Sequence, residues 1–180
     1  MSAAGKGGRV ARVKSRYLAG GATGAALLAF ATTYTAGWEG TSYKAYLDTI
    51  AQPPVWTICQ GDTYDVKPGM VETKAGCEVR LRRQILEHEA RMLSCAPELL
   101  KAPGETYVAI NDWAYNAGTG AACRSSLIRK VKAGDLRGAC NELSRWVFAG
   151  GKVVKGLANR RVNGLPGLIS NRTLCLRGLG

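Results

Sequence analysis

Three features of the 180-residue chain predict an α+β fold, a small antiparallel sheet lobe followed by a larger helical lobe. Two short runs rich in aromatic and β-branched residues, 43–47 and 55–58, flank the turn formers Gln52-Pro53-Pro54. From about Thr73 onward, apolar residues recur at three- and four-residue spacing between capping residues. Ahead of both lies an uncharged stretch, residues 17–38, that belongs to neither pattern. The predicted division is residues 1–38, a basic N-terminus with an anchoring segment, and residues 39–180, one globular domain.

Read as a helix, residues 17–38 would span about 33 Å, enough for the hydrocarbon core of a bilayer. Lys6, Arg9, Arg12, Lys14 and Arg16 lie just upstream with no acid among them. That asymmetry predicts a cytoplasmic N-terminus and export of everything after Trp38. The segment is weakly apolar, because Gly20, Gly21, Gly24, Gly37 and four threonines contribute little to membrane partitioning. A cleaved signal peptide is the alternative, with Ala-Leu-Leu-Ala-Phe-Ala-Thr offering small-residue contexts. The length of the run, and the short spacer that cleavage would leave before Glu39, favour an uncleaved anchor.

Beyond the strands, Thr73 caps a helix reaching about Cys95, with Val79, Leu86, Ala90 and Leu93 on one face and Pro97 as its stop. A second helix fits 105–117, with Ala109, Trp113 and Ala117 four residues apart and Gly118 ending it. Ser125 and Gly134 bracket a short basic helix. Asp135 caps another, which buries Leu136, Ala139, Cys140, Leu143, Trp146 and Val147 and ends at Gly150-Gly151. The last part, 152–180, is interrupted by Gly164-Leu165-Pro166-Gly167.

The 142 residues after Trp38 suffice for one core. They hold 20 of the 25 basic residues and all 13 acids, a net charge of +7. A basic exported domain suits an anionic partner such as a cell wall or membrane surface. Nucleic acid is disfavoured by the absence of zinc-finger spacing or an RNA-binding aromatic signature. Cys59, Cys77, Cys95, Cys123, Cys140 and Cys175 all lie in the exported part, as a three-disulfide framework requires. There is no CxxC pair and one histidine, His88, which sits among charges and is expected to be exposed. No metal site and no cofactor are expected.

Glu39 and Asp48 are two acids at the entry to the sheet lobe, and hydrolysis of a glycosidic bond needs such a pair. One carboxyl donates a proton to the leaving oxygen while the other activates water or stabilises positive charge. Glu39, beside an apolar helix and aromatics, suits the proton donor; Asp48 suits the ionised role. An E-x8-D spacing alone is common, and most such acids are simply solvated. Tyr115 and Asn116 are candidate cleft residues, the amide of Asn116 suiting a sugar N-acetyl group. Trp56, Trp113 and Trp146 fall at core-like positions. Arg129, Lys130 and Lys132 form a solvated basic face.

The run Glu39-Gly40-Thr41-Ser42-Tyr43-Lys44-Ala45-Tyr46-Leu47-Asp48, followed by Thr57-Ile58-Cys59-Gln60-Gly61-Asp62-Thr63, resembles the active-site region of the phage-type lysozymes, glycoside hydrolase family 24. The resemblance continues through Trp113-Ala114-Tyr115-Asn116-Ala117-Gly118, Ser144-Arg145-Trp146 and Asn159-Arg160-Arg161. With the N-terminus included, the chain resembles the signal-anchor-release endolysins. The resemblance implies a lysozyme-like fold, Glu39 as general acid, Asp48 as second carboxylate and Thr57 as the hydroxyl that places water. It implies cleavage of the β-1,4 bond between N-acetylmuramic acid and N-acetylglucosamine in peptidoglycan. It also implies a monomer held in the host inner membrane, then freed into the periplasm, with Cys59–Cys77, Cys95–Cys123 and Cys140–Cys175 paired. Two departures stand out. Nine residues separate Asp48 from Thr57 where the family usually has six, which leaves Thr49 as an alternative third member, and Asp62 occupies a position where histidine is usual. A lytic transglycosylase and a non-enzymatic cationic wall-binding module are the competing readings.

Overall fold

In the computed structural model, which describes residues 14–180, the Thr73 hydroxyl accepts the Gly76 amide and opens α3, Lys74–Cys95. This 22-residue helix links the two lobes. Its buried row differs from the predicted one. Val79 is 67% exposed, and the inward residues are Cys77, Leu81, Ile85, Glu89, Met92 and Leu93. Cys77 is tied to the sheet lobe by a disulfide, which fixes the helix rotation, and a glutamate in mid-row hid the four-residue stripe.

The sheet lobe is the expected antiparallel pair, β1 (Ser42–Asp48) and β2 (Val55–Cys59). Its loop contains the Gln52-Pro53-Pro54 turn. A short third rung forms where the Ala45 amide donates to the Met70 carbonyl and the Glu72 amide to Tyr43. Ile58, Cys59 and Cys77 make a small core of their own beneath it.

The main core surrounds α4, Gly104–Ala117, which is buried throughout residues 106–114. Gly118, at φ +84°, terminates it. Helix α5 (Thr119–Cys123) packs beside it, while α6 (Ser126–Lys132, capped by Ser125) and α7 (Leu136–Glu142, capped by Asp135) pack on each other and add Leu127, Ile128, Ala139 and Cys140 to the same core. Trp113 is fully buried and meets Trp146 edge-on at 4.9 Å, whereas Trp56 is half-buried. Helix α7 stops earlier than predicted. Gly150 and Gly151 do not end it but make the turn of a small hairpin, β3 (Phe148–Ala149) and β4 (Lys152–Val153). Both glycines have positive φ, the geometry that a two-residue hairpin turn of the primed type requires. Then α8 (Lys155–Ala158) runs into a π-helical turn, Asn159–Asn163, and α9 (Asn171–Arg177) closes the chain against α4. The three disulfides are Cys59–Cys77, Cys95–Cys123 and Cys140–Cys175, the pairing that the resemblance implies.

The N-terminal stretch is not one helix. α1 (Arg16–Ala19) and α2 (Gly21–Trp38) meet at a kink where Gly21 takes φ +55°. A side chain at Gly24 would stand 2.7 Å from the Tyr17 carbonyl oxygen, so the two pieces approach this closely only through glycine. Tyr17, Ala31 and Tyr34 belong to the main core, and the Tyr34 hydroxyl donates to the Ile169 carbonyl at 3.0 Å. Thr32 and Thr35 are buried with them. The other side of α2, including Ala25, Ala29 and Thr33, is exposed. No helix among the described residues is long and apolar enough to cross a membrane. Of the basic N-terminal flank, Lys6, Arg9 and Arg12 lie outside the described residues.

Candidate active site

Helix α2 ends at Glu39, whose backbone turns extended (φ −96°, ψ 137°) while its amide still donates to the Thr35 carbonyl. The chain thus passes from helix to β1 at the acid itself, at the junction of the two lobes. The Glu39 side chain is 24% exposed and lines an open groove of about 440 Å³ together with Thr41, Ser42, Tyr46, Gln60 and Gly61. Gln60 spans the groove end, its amide donating to the Thr41 hydroxyl at 3.0 Å.

Behind Glu39 lies a buried polar network. Arg160 donates through one amino group to Glu39 Oε1 at 2.5 Å. Its other nitrogens donate to both oxygens of Asp112, at 2.8 and 3.1 Å. Asp112 also accepts from Asn171 Nδ2 at 2.7 Å, and Arg161 donates to Asn171 Oδ1 at 2.6 Å and to Asn116 Oδ1. Burial by itself would lower the Arg160 pKa, but the charges of Asp112 and then Glu39 hold it above the usual guanidinium value. Arg161 is pushed the other way, to about 10, by burial first and then by the adjacent Arg160. One buried cation therefore bridges two acids, and its bidentate grip on Asp112 fixes the direction from which it meets Glu39.

Asp48 closes β1. Its Oδ1 accepts the amides of Ile50 at 2.9 Å and Ala51 at 3.3 Å, so the carboxylate caps the loop that follows. Pairing of Tyr46 with Thr57 and of Asp48 with Val55 puts Asp48 and Thr57 on one face of the hairpin, diagonally placed. Thr57 is buried, and its hydroxyl donates to the Val55 carbonyl at 3.2 Å. Thr49 is exposed beyond the strand end. Glu39 lines the groove; Asp48, Thr49 and Thr57 are not among its lining residues.

Tyr115 reaches the sheet lobe, its hydroxyl lying 2.8 Å from Gln84 Oε1 and 3.1 Å from the Gln60 carbonyl. Burial, then the charge of Glu39, raises its pKa. Asn116 is exposed, with its carbonyl oxygen held by Arg161. His88 departs from expectation: it is half-buried, with its ring 4.8 Å from that of Tyr115. Burial, then Arg91, lowers its pKa. A half-buried mid-helix position on the Tyr115 side was not visible in a run of charged neighbours.

Asp62 has a structural explanation. It accepts from Arg83 at 2.6 and 2.7 Å, from Arg80 at 2.8 Å and from the Tyr64 amide at 3.1 Å. Burial alone would raise its pKa, but the bonds from Arg83 and then Arg80 hold the carboxyl below the ordinary range. Ile58 and Asp62 also exchange backbone hydrogen bonds, so this clamp ties the end of β2 to α3.

Sequence reasoning missed Asp112 and Asn171 and gave Arg160 no role. A signal existed for Asp112: it is a lone acid on an otherwise apolar helix face, beside Trp113. Its partners, 48 and 59 residues away, were not deducible.

A two-stranded lobe set against a helical body, with a glutamate presented where α2 meets the sheet, defines a lysozyme-type glycoside hydrolase. The chain belongs to the phage lysozyme family, whose model matches residues 36–163. It is 39% identical over 127 residues to the SAR-endolysin of bacteriophage PS119, covering 69% of this chain and 72% of that one. It is 40% identical over 131 residues to the SAR-endolysin of Enterobacteria phage PA-2, covering 69% and 73%. The active form of the P1 phage endolysin Lyz superposes with a TM-score of 0.66 at 25% identity, covering 83% of this chain and 85% of that one. The protein is accordingly a muramidase, and peptidoglycan is its substrate.

Proposed function

We propose that this muramidase is an endolysin held in the host inner membrane by residues 17–38 and then freed into the periplasm, where it acts as a monomer. The observation that carries this reading is the double character of α2. The segment has no charged residue, yet Tyr34, Thr32 and Thr35, which weaken it as a membrane span, are among the residues buried against the body. The same composition suits a marginal span and a packed helix. Because Glu39 is the cap of that helix, its meeting with Arg160 depends on α2 being docked. The resting potential, negative inside, would retain the basic N-terminus at about 2.3 kcal/mol per charge per 100 mV, and its collapse would let the segment leave.

In the docked state Glu39 gives its proton to the glycosidic oxygen, while Asp48 and the Thr57 hydroxyl place water on the opposite face of the sugar, with inversion. Their shared face on the hairpin supports the pairing of Asp48 with Thr57 in preference to Thr49. Tyr115 and Asn116 are the substrate-binding residues of this reading. They are not among the groove's lining residues, and the support is the exposed position of Asn116, whose amide suits an N-acetyl group. Analysis of digested peptidoglycan tests the chemistry. Products with a reducing-end muramic acid are expected; anhydro-muramic ends would show that water is not the acceptor and would overturn the assignment of Asp48 and Thr57.

A further inference from the structure

One buried acid belongs neither to the chemistry, nor to the network behind Glu39, nor to the Asp62 clamp. Glu89 projects from α3 into the main core and is fully buried. A carboxylate in such a place is tolerated only when donors surround it. Four do. The Tyr107 hydroxyl comes from α4, within the body. The other three come from the N-terminal segment: the Ser15 hydroxyl on Oε2, and the amides of Arg16 at 3.0 Å and Tyr17 at 3.3 Å on Oε1.

The surrounding contacts reinforce this one. The Tyr17 ring, 2% exposed, meets Tyr107 edge-on at 5.4 Å, and the Arg16 guanidinium lies over the Tyr107 ring at 5.0 Å while donating to the Ala102 carbonyl. Tyr17 also shares the wall of a small cavity with His88, Asn111 and Asp112. Asp112 holds Arg160, and Arg160 holds Glu39. The start of the segment is therefore packed next to the network that orients the acid at its far end.

We propose that Glu89, with Tyr107, is the receiving site for residues 15–17, the contact that captures the N-terminal segment after it leaves the membrane and thereby positions the helix that carries Glu39. The inference rests on the tethered-then-released reading above. While residues 17–38 span a bilayer, Glu89 lacks three of its four donors. Docking supplies them together, so the body is incomplete until the segment arrives. Glu89 is a positioning residue: it touches no substrate and acts through α2.

The test uses the full-length protein recovered from the soluble fraction, comparing wild type with Glu89→Gln by site-resolved amide hydrogen exchange and by clearing of outer-membrane-permeabilised cells. Hydrogen bonds to a charged acceptor are strong enough that their loss should speed exchange at Arg16 and Tyr17 by about tenfold. Exchange should also quicken across residues 21–38 while residues 107–113 are unchanged. Turnover should fall in step, with KM little altered, and the membrane-bound fraction should rise. Unchanged exchange at Arg16 and Tyr17 would overturn the proposal. So would an acceleration spread equally over α4, because Glu89 would then serve only the core. If Glu89→Gln does not fold, Ser15→Ala, which removes the hydroxyl from Glu89 together with the cap on the Leu18 amide, must quicken exchange across residues 21–38 as well as at Arg16 and Tyr17 by about threefold; its absence, or a change confined to residues 16–19, overturns the proposal equally. Failure of the wild type to clear cells would count against the hydrolase reading and leave the exchange result standing.

Discussion

Replacing Asp112 with asparagine isolates the network behind Glu39. The Asp112 side chain has no solvent exposure and that of Arg160 only 5%. Asparagine keeps the shape but removes the charge, and it turns one of its two oxygens into a donor. That group now faces Arg160, whose nitrogens at 2.8 and 3.1 Å had found acceptors, or Asn171 Nδ2 at 2.7 Å. Removing one partner of a buried ion pair typically costs about 3–5 kcal/mol, because the remaining charge stays desolvated. In a chain of this size each kcal/mol lowers Tm by about 2–4 °C, so a drop of about 6–20 °C is expected. Activity should fall beyond what unfolding explains. Arg160, freed from Asp112, is left with Glu39 as its anionic partner, and misplacement of a reacting group by an ångström can cost about a hundredfold. Denaturant midpoints and cell clearing at a temperature where the variant is fully folded measure both effects. A variant within 2 °C of wild type that clears cells at the wild-type rate would refute the idea that Asp112 orients Glu39 through Arg160.

Glu39→Gln should abolish clearing, by about 10²–10⁴-fold for a lost general acid, while the denaturation midpoint moves little; wild-type clearing by this variant would remove Glu39 from the mechanism. The Asp62 clamp has a pH signature. Its folded-state pKa is depressed, so its stabilisation is fully present above the ordinary aspartate range and is lost as pH falls through the lower folded value. Asp62→Asn should accordingly lower Tm at pH 7 and narrow its gap from wild type in acid; a gap that does not change between pH 7 and pH 2 would contradict this. Removing the 35-residue loop closure with Cys140→Ser and Cys175→Ser together should cost about 4 kcal/mol, read as a shift in denaturant midpoint. Leucine at the exposed positions Ala25, Ala29 and Thr33 should hold the protein in the membrane fraction and delay lysis without disturbing the docked face. Normal release of that variant on depolarisation would argue against a marginal span as the basis of control.

Local chemistry made much of the molecule legible in advance. The turn at Gln52-Pro53-Pro54 between two β-rich runs set the hairpin, and Thr73, Ser125 and Asp135 announced helix starts because each side chain satisfies an amide three residues on. The motif around Glu39, Asp48 and Thr57 located the candidate acids, since their spacing in the chain reflects one helix end and one hairpin. Glycine pairs were ambiguous. Gly150-Gly151 ends a helix or turns a hairpin equally well, and the strands beside it were too short to carry a pattern.

Charged residues inside the fold could not be placed from the sequence. Asp62, Glu89 and Arg160 look solvated in one dimension, and Asp112 shows only apolar neighbours without its partners, because burial of a charge depends on groups that the chain supplies from elsewhere. Glu89 took its donors from residues 15–17 and Tyr107, Asp112 from Arg160 and Asn171, and Asp62 from Arg80 and Arg83. The helix that the sequence presents as a membrane segment is the same case in reverse. Its uncharged composition allows a bilayer, but only the packed body supplies the Ile169 carbonyl for Tyr34 and the carboxylate for Arg16 and Tyr17. The sequence alone determined the first hairpin, the capped helix starts and the candidate acids, because these follow from neighbouring residues. The tertiary structure decided which charges are buried and how Glu39 is held, because those depend on contacts between residues far apart in the chain.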